Sequence, residues 1–558
     1  MGLSPNMYRD VGDFSPISTD VIIIGGGATG AGIARDCALR GSNCILLERR
    51  DIATGATGRN HGLLHSGARY AVNDQESAEE CIKENKILRN IARHCVDETE
   101  GLFITLPEDS LDYQKTFIES CTKSGIEAVA IDPKLAQIME PSVNPDLVGA
   151  VVVPDGSIDP FRLTASNVMD ATENGAKMFT YCEVKNLIRE GGKVIGVDVY
   201  DHKNRVNRKF FAPLVVNAGG IWGQGIAEYA DLKIKMFPAK GALLVMGHRI
   251  NKMVINRCRK PADADILVPG DTICVIGTPY DQIDNMEVTP EEVDILFREG
   301  EKLAPSLRHT RVLRAYAGVR PLVATDDDPS GRNVSRGIVL LDHAERDGLD
   351  GFITITGGKL MTYRLMAEWA TDLVCKKLNK TARCTTAERP LPGSSESRAE
   401  TNQKVISLPS TIRYSAVYRH GSRATRLLDK ERLDRSMVCE CEAVTAGEVR
   451  YAVDELNVNN LVDLRRRTRV GMGTCQAELC ACRAAGLMNR FEVATPRQST
   501  TQLTAFMEER WRGIEPIAWG EAIREAEFTS WMYGSVLGLN DVQPLETDKQ
   551  QGTDNNEF

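Results

Sequence analysis

The sequence predicts an α/β chain with a dinucleotide-binding unit at its start, a mixed-sheet domain inserted into that unit, and a small, mostly helical module near its end. Three observations carry the prediction. A glycine-rich strand–turn–helix pattern occupies residues 20–48, a second strand-to-glycine pattern occupies residues 214–223, and Cys439, Cys441, Cys475 and Cys480 crowd into one late segment.

In the first pattern, residues 21–24 are a β-branched run, as expected of a buried parallel strand, and Ile33, Cys37 and Leu39 follow the glycines at the spacing of a packed helix. Gly25, Gly27 and Gly30 fill the motif GxGxxG. The first glycine suits a tight turn, the second lets backbone N–H groups approach a pyrophosphate, and the third allows close helix–strand contact. The phosphates would sit at the helix N-terminus, where unpaired N–H groups and the helix dipole favour negative charge. A second apolar run, residues 44–47, ends at Glu48, 18 residues past Gly30, where a carboxylate can accept from ribose hydroxyls. GxGxxG alone is a weak signal; here strand, turn, helix, strand and acid all fall at the expected distances.

Composition narrows the class. At 558 residues the chain has length for more than one domain. A net charge of -9 leaves no basic excess to displace counterions from nucleic acid. No apolar run approaches bilayer-spanning length and the N-terminus lacks a signal pattern, so a cytoplasmic protein is expected. Ten cysteines scatter over the first 384 residues and suit the role of small core residues; the other five fall between Cys439 and Cys482 and need a separate account.

In chain order, residues 1–17 read as a flexible extension. Residues 51–70 are dense in Gly, Ser, Thr and His, poor core material but good ligand-contacting backbone. This segment is similar to the flavin-contacting loop of the FAD-dependent glycerol-3-phosphate dehydrogenases, matching it at His65, Gly67, Arg69 and Tyr70. Residues 76–94 read as an amphipathic helix, and residues 148–163 and 180–216 as short apolar runs between turns. Residues 214–223 resemble the second flavin signature of the same superfamily, which includes amino-acid oxidases. Residues 235–322 are expected to supply most of a substrate domain, a mixed or antiparallel sheet over the flavin. Residues 314–322 resemble the family stretch whose arginine faces substrate, which points to Arg320; Arg336 and Lys359 match two further basic positions. Residues 353–364 read as an alternating strand and a Gly-Gly turn, leading into a helix with Leu365, Trp369 and Leu373 at fourfold spacing. N–H groups of residues 358–360 could stabilise negative charge on reduced flavin. One departure stands out: Leu243 occupies a position where aerobic relatives carry histidine, which leaves the catalytic base open.

The resemblance implies a Rossmann-type FAD-binding domain. Its cofactor contacts would come from Gly25, Gly27, Ala28, Thr29 and Gly30, from Glu48 and Arg49, and from Thr54, Thr57, Asn60, His61, Gly62 and Leu64. Val184, Ala218, Gly219 and Trp222 would add to these, and Gly357, Gly358, Lys359 and Leu360 would complete the set. Arg69, Tyr70, Arg320, Arg336 and Lys359 would bind substrate. Arg320 would act on the C2 oxygen, and His65, with the ordinary imidazole pKa near ~6.5, is the candidate proton acceptor.

The late cysteines read CxC, then Cx4C after 33 residues, with amphipathic stretches at 446–456 and 461–467 between. Four thiolates suit a structural zinc or a [2Fe–2S] cluster; zinc sites usually repeat CxxC, so this spacing favours the cluster. Residues 438–445 and 468–476 also resemble the small [2Fe–2S] domain fused to several flavin dehydrogenases. Cys482 has no assigned role. Boundaries follow at 18–385 for the dehydrogenase, 386–434 for a linker with accessory structure, 435–490 for the cluster domain and 491–558 for a tail. Trp511, Trp519 and Trp531 in that tail suit docking of a partner, contact with a membrane surface, or packing on the chain's own core.

Together these parts resemble the anaerobic branch of the family. The resemblance implies oxidation of sn-glycerol 3-phosphate to dihydroxyacetone phosphate by hydride transfer to FAD, with single electrons leaving through the cluster. It also implies two partners: a second flavoprotein, and a membrane-anchoring iron–sulfur subunit on the cytoplasmic face of the inner membrane, with quinone as the acceptor beyond it. Two other readings stay open in the sequence: an FAD and iron–sulfur dehydrogenase of an amino or imino acid, and a non-enzymatic redox or zinc-stabilised scaffold.

Overall fold

The computed structural model describes residues 14–279, 285–323, 337–427 and 431–541. Arg336 lies outside them. At the centre is a six-stranded sheet in the order Lys177–Thr180, Cys44–Glu48, Val21–Ile24, Leu214–Asn217, Phe352–Gly357, Ile338–Asp342. The first five strands run parallel and the last antiparallel. Both predicted strand-to-glycine patterns are therefore neighbours at mid-sheet.

Val21–Ile24 is buried on both faces, which explains an unbroken apolar run where alternation would otherwise be expected. Val21 and Ile23 pack with the helices Ala28–Leu39 and Tyr363–Lys377. Ile22 and Ile24 point the other way, against Val197, Val199 and Phe210 of an antiparallel sheet, Cys182–Glu190, Lys193–Asp201 and Val206–Phe211. The helix predicted around Leu365, Trp369 and Leu373 forms, but with another face inward. Met366, Ala367, Ala370 and Val374 are buried, while Trp369 is 38% exposed. The fourfold match selected a neighbouring stripe because the inward face is built largely of small residues.

The second large sheet has eight strands, and three of them, Gly101–Thr105, Val129–Ile131 and Gly149–Val153, come from before the expected substrate segment. Val254–Arg257 pairs in parallel with Gly101–Thr105; the other pairings are antiparallel. Its longest pairing sets Met236–Met246 against Val312–Val323, with Ala239 opposite Arg320.

Residues 386–427 are packed structure, with helices Arg398–Lys404 and Ser410–His420. Buried His94 holds this region to the dinucleotide unit between the hydroxyls of Ser394 and Ser166, at 2.8 and 3.1 Å. The late module builds its own core from helices Ala446–Glu455, Leu461–Thr468 and Cys480–Arg490. In the tail helix Pro496–Ile514, Leu503 and Phe506 join that core and Ile514 joins the substrate-sheet core. The tail thus packs on the chain itself, while Trp511, Trp519 and Trp531 keep 44%, 49% and 63% of their surface exposed.

Candidate active site and thiol cluster

A cavity of about 1360 Å³ runs from the GxGxxG turn to the face of the eight-stranded sheet. Its near end is backbone. Gly25 has φ +109°, and a Cβ there would stand 2.5 Å from the Ala218 carbonyl oxygen, so only glycine fits. Gly27, Ala28 and Thr29 line the cavity at the helix N-terminus, where an anionic group is favoured. Glu48 lines the cavity at the end of its strand, its carboxylate accepting from the Gly26 N–H at 2.6 Å and the Arg50 N–H at 2.8 Å. Burial pushes its pKa up against those two bonds. A carboxylate has further lone pairs, so ribose hydroxyls can still be accommodated.

The side walls hold Arg49, Thr54, Thr57, Asn60, His61, Val184, Ala218, Gly219 and Trp222, with Gly357, Gly358, Lys359 and Leu360 above. The Arg49 guanidinium lies 4.1 Å from the Trp222 ring centroid. Three of the sequence-proposed contacts do not line this cavity. Gly30 sits against the Gly25 carbonyl, consistent with a packing glycine, and Gly62 lines a second cavity. Leu64 turns its side chain into the core with Cys81, Leu88 and Ile91, because its short strand pairs with Gly156–Ile158 and shows that face inward.

His65, Arg69, Tyr70, Arg320 and Lys359 all line this cavity. The His65 and Tyr70 rings are 5.4 Å apart, and the Lys359 ammonium sits 4.6 Å over the Tyr70 ring. Arg320 donates to the Thr278 hydroxyl and, at 3.5 Å, to the Lys240 carbonyl. Gly241 makes room for it, since a Cβ there would come within 2.8 Å of Arg320 Nη2. Arg69 donates to the Ala262 carbonyl at 3.0 Å and to Asp265 at 3.3 Å, while its other terminal nitrogen is buried with no hydrogen-bond partner among the described residues. Leu243 is also in the wall, 1% exposed and paired across the sheet with Tyr316 and Gly277, so no imidazole stands there.

The residue that sequence reasoning missed is Arg59. It bridges the loop to the sheet, donating to the Thr54 carbonyl at 3.1 Å and the Ala317 carbonyl at 3.4 Å. Its charge amid the Gly, Ser and Thr of residues 51–70 was the available signal.

In the late module the Cys439 and Cys441 sulfurs are 3.9 Å apart, and those of Cys441 and Cys475 are 3.6 Å apart. Among the described residues no three His, Cys, Asp or Glu side chains surround one point as a single ion needs. The thiols are strung out instead, as suits two irons with two thiolates each. Neighbouring Cys441 draws the Cys439 pKa down, but Cys480 and burial prevail and push it up to about 12. For Cys475, the Cys441 sulfur and burial both push it up. Four crowded thiolates without cations repel one another; metal supplies the missing charge, and the donor set fits it. Cys482 is exposed and stands apart. The nine scattered cysteines from Cys37 to Cys375 are buried free thiols, and Cys384 is half-buried.

The two halves are tied by buried charge. Arg467 of the module helix meets Asp51, three residues past Glu48, at 3.0 Å, with Arg466 3.2 Å from the same carboxylate. Tyr181 donates to Asp463 on that helix at 2.9 Å.

Comparison with known proteins gives a consistent picture. The family described as "FAD dependent oxidoreductase" matches residues 20–364, and "BFD-like [2Fe-2S] binding domain" matches residues 437–490. A Haemophilus influenzae protein, named as a subunit of anaerobic glycerol-3-phosphate dehydrogenase, is 92% identical over 100% of both chains. Its Escherichia coli K12 namesake is 70% identical over 94% of this chain and 98% of its own. Among solved structures, the glycerol-3-phosphate dehydrogenase of Bacillus halodurans complexed with FAD superposes with a TM-score of 0.73. It shares 24% identity and covers 92% of this chain and 98% of its own, a likeness of fold.

Proposed function

Because the chain belongs to the FAD dependent oxidoreductases, and within them to the anaerobic glycerol-3-phosphate dehydrogenases, we propose the following path for its reaction. The chain is a flavin dehydrogenase with a [2Fe–2S] domain that oxidises glycerol 3-phosphate. The amino-acid and scaffold readings give way to these full-length relatives. When bound, the flavin supplies a two-electron hydride acceptor and the cluster a one-electron relay.

The observation that carries the proposed path is that Arg69, Tyr70, Arg320 and Lys359 all line the dinucleotide cavity, with the Lys359 ammonium 4.6 Å over the Tyr70 ring. Lys359, with Arg336 by resemblance, holds the substrate phosphate, where fixed cations match a dianion. Arg320 faces the C2 oxygen and stabilises the alkoxide character that develops as hydride leaves. Tyr70 and Arg69 hold the glycerol chain against that wall. His65 accepts the hydroxyl proton, a role that the absence of a histidine at Leu243 leaves to it. Electrons leave the chain singly, to an iron–sulfur partner held in the membrane and from there to quinone, with a second flavoprotein in the complex. Among the described residues no helix is long and apolar enough to cross a membrane.

Arg320→Ala tests the path: kcat/KM for glycerol 3-phosphate falls roughly 10²–10³-fold while bound FAD is retained. Arg320→Lys recovers part of the loss through its charge. Unchanged turnover in Arg320→Ala removes the residue from the reaction.

A further inference from the structure

A second cavity, of about 200 Å³, lies between the two cofactor sites. One end shares Thr54, Arg59, Asn60 and His61 with the flavin cavity; the other reaches Met472 and Gln476, which flank the cluster ligand Cys475. Its middle is walled by Arg314 from the long sheet strand, Arg465 from the module helix and Glu509 from the tail helix. Arg465 meets Glu509 at 2.9 Å and Arg314 meets the same oxygen at 3.5 Å. Arg59 lines the same cavity, and among the described residues its hydrogen-bond acceptors are carbonyl oxygens at 3.1 and 3.4 Å.

Two guanidiniums therefore meet one carboxylate, with that of Arg59 in the wall of the same cavity. The Arg465, Arg314 and Glu509 side chains are 9%, 16% and 26% exposed, and among the described residues the buried Nε atoms of Arg314 and Arg465 have no hydrogen-bond partner. The electrostatics follow. The three arginines hold Glu509 ionised down to about 2 against the effect of burial. Burial first, and then repulsion from Arg314, brings Arg465 down to about 10, which leaves it charged at neutral pH. Charges further along reduce the excess without removing it. Arg466 and Arg467 are matched by Asp51 and Asp463, while Arg162 and Arg469 face Asp159, Asp271 and Glu442, one carboxylate more than they need, so one of the two surplus positive charges around Glu509 remains. Burying cations beyond their partners works against stability, so folding alone gives no reason for the arrangement.

We propose that Arg59, Arg314 and Arg465, grouped around Glu509, are positioning residues for electron transfer, a fixed net positive charge that stabilises the added electron on the [2Fe–2S] centre and so raises its reduction potential. Each transfer moves one electron from reduced flavin to the oxidised cluster, which gains one unit of negative charge. Fixed positive charge in a medium of low dielectric favours that gain. The inference rests on the assignment of the two cofactor sites and not on the identity of the substrate.

The test is a redox titration of the purified holoprotein with a chemical reductant, following the reduced cluster by electron paramagnetic resonance. Arg465→Gln shifts the cluster midpoint to lower potential, Glu509→Gln shifts it to higher potential, and Arg465→Lys restores it toward wild type. Arg314→Gln reports the same downward shift independently should Arg465→Gln fail to assemble. A role confined to packing moves both charge variants in the same direction or not at all, and either result overturns the proposal. Because no glycerol 3-phosphate is used, failure of the substrate assignment leaves this readout unaffected.

Discussion

Gly25 shows how little room the cofactor site leaves at single positions. With φ +109° and the Ala218 carbonyl 2.5 Å from where a Cβ would stand, Gly25→Ala must move one of two adjacent central strands. The variant is expected to purify without flavin colour, and a normal flavin content by absorbance would contradict this reading. The motif glycines were legible in the sequence because their function is local. Arg320 was reached only through resemblance, since its position depends on Thr278 and Gly241, which meet it across strand pairings. Arg59 went unnoticed for a similar reason: its partner carbonyl on Ala317 lies 258 residues away along the chain.

Among the elements, those set by periodicity and turn chemistry were readable and their faces less so. The helix Ala446–Glu455 illustrates the readable kind, with a capping box in which Thr445 and Glu448 satisfy each other's backbone N–H groups. Glu448 does more than cap: it accepts from Arg419 at 2.8 Å and pairs with His420 at 3.0 Å, fixing the cluster module to helix Ser410–His420. Burial works against its charge, but Arg419 and His420 prevail and hold the pKa down at about 2. A depressed carboxylate pKa contributes stability that is fully present above the unfolded value near ~4.3 and is lost as pH falls through the folded one. Glu448→Gln is therefore expected to lower the melting temperature strongly at pH 7, leaving Arg419 buried without its counter-charge. The gap to wild type narrows from about pH 4 toward pH 2. A gap that stays constant over that range contradicts the assignment.

At the level of the whole molecule, the parts were legible and their joins were not. The sequence separated a flavin unit, a thiol module and a tail, because each has its own composition and spacing. It could not show that residues 101–153 lend three strands to the substrate sheet, or that Arg467 reaches Asp51 across 416 residues. Pairings of that range leave no periodic mark on either partner. Yet the joins are what the proposed chemistry needs: the helix carrying Arg467 also carries Arg465, so the module is held where its charge faces the gap between the two redox sites. Two electrons taken together from an alcohol must leave one at a time, and the pairs of Arg467 with Asp51 and Tyr181 with Asp463 hold the thiol module against the dinucleotide unit.

The most direct test of this account is to add glycerol 3-phosphate to the oxygen-free holoprotein and record the visible absorption and the electron paramagnetic resonance spectrum together. The account predicts that the flavin absorption bleaches and a reduced [2Fe–2S] signal appears in the same sample. A flavin that this substrate leaves oxidised, in protein that a chemical reductant still reduces, would contradict it.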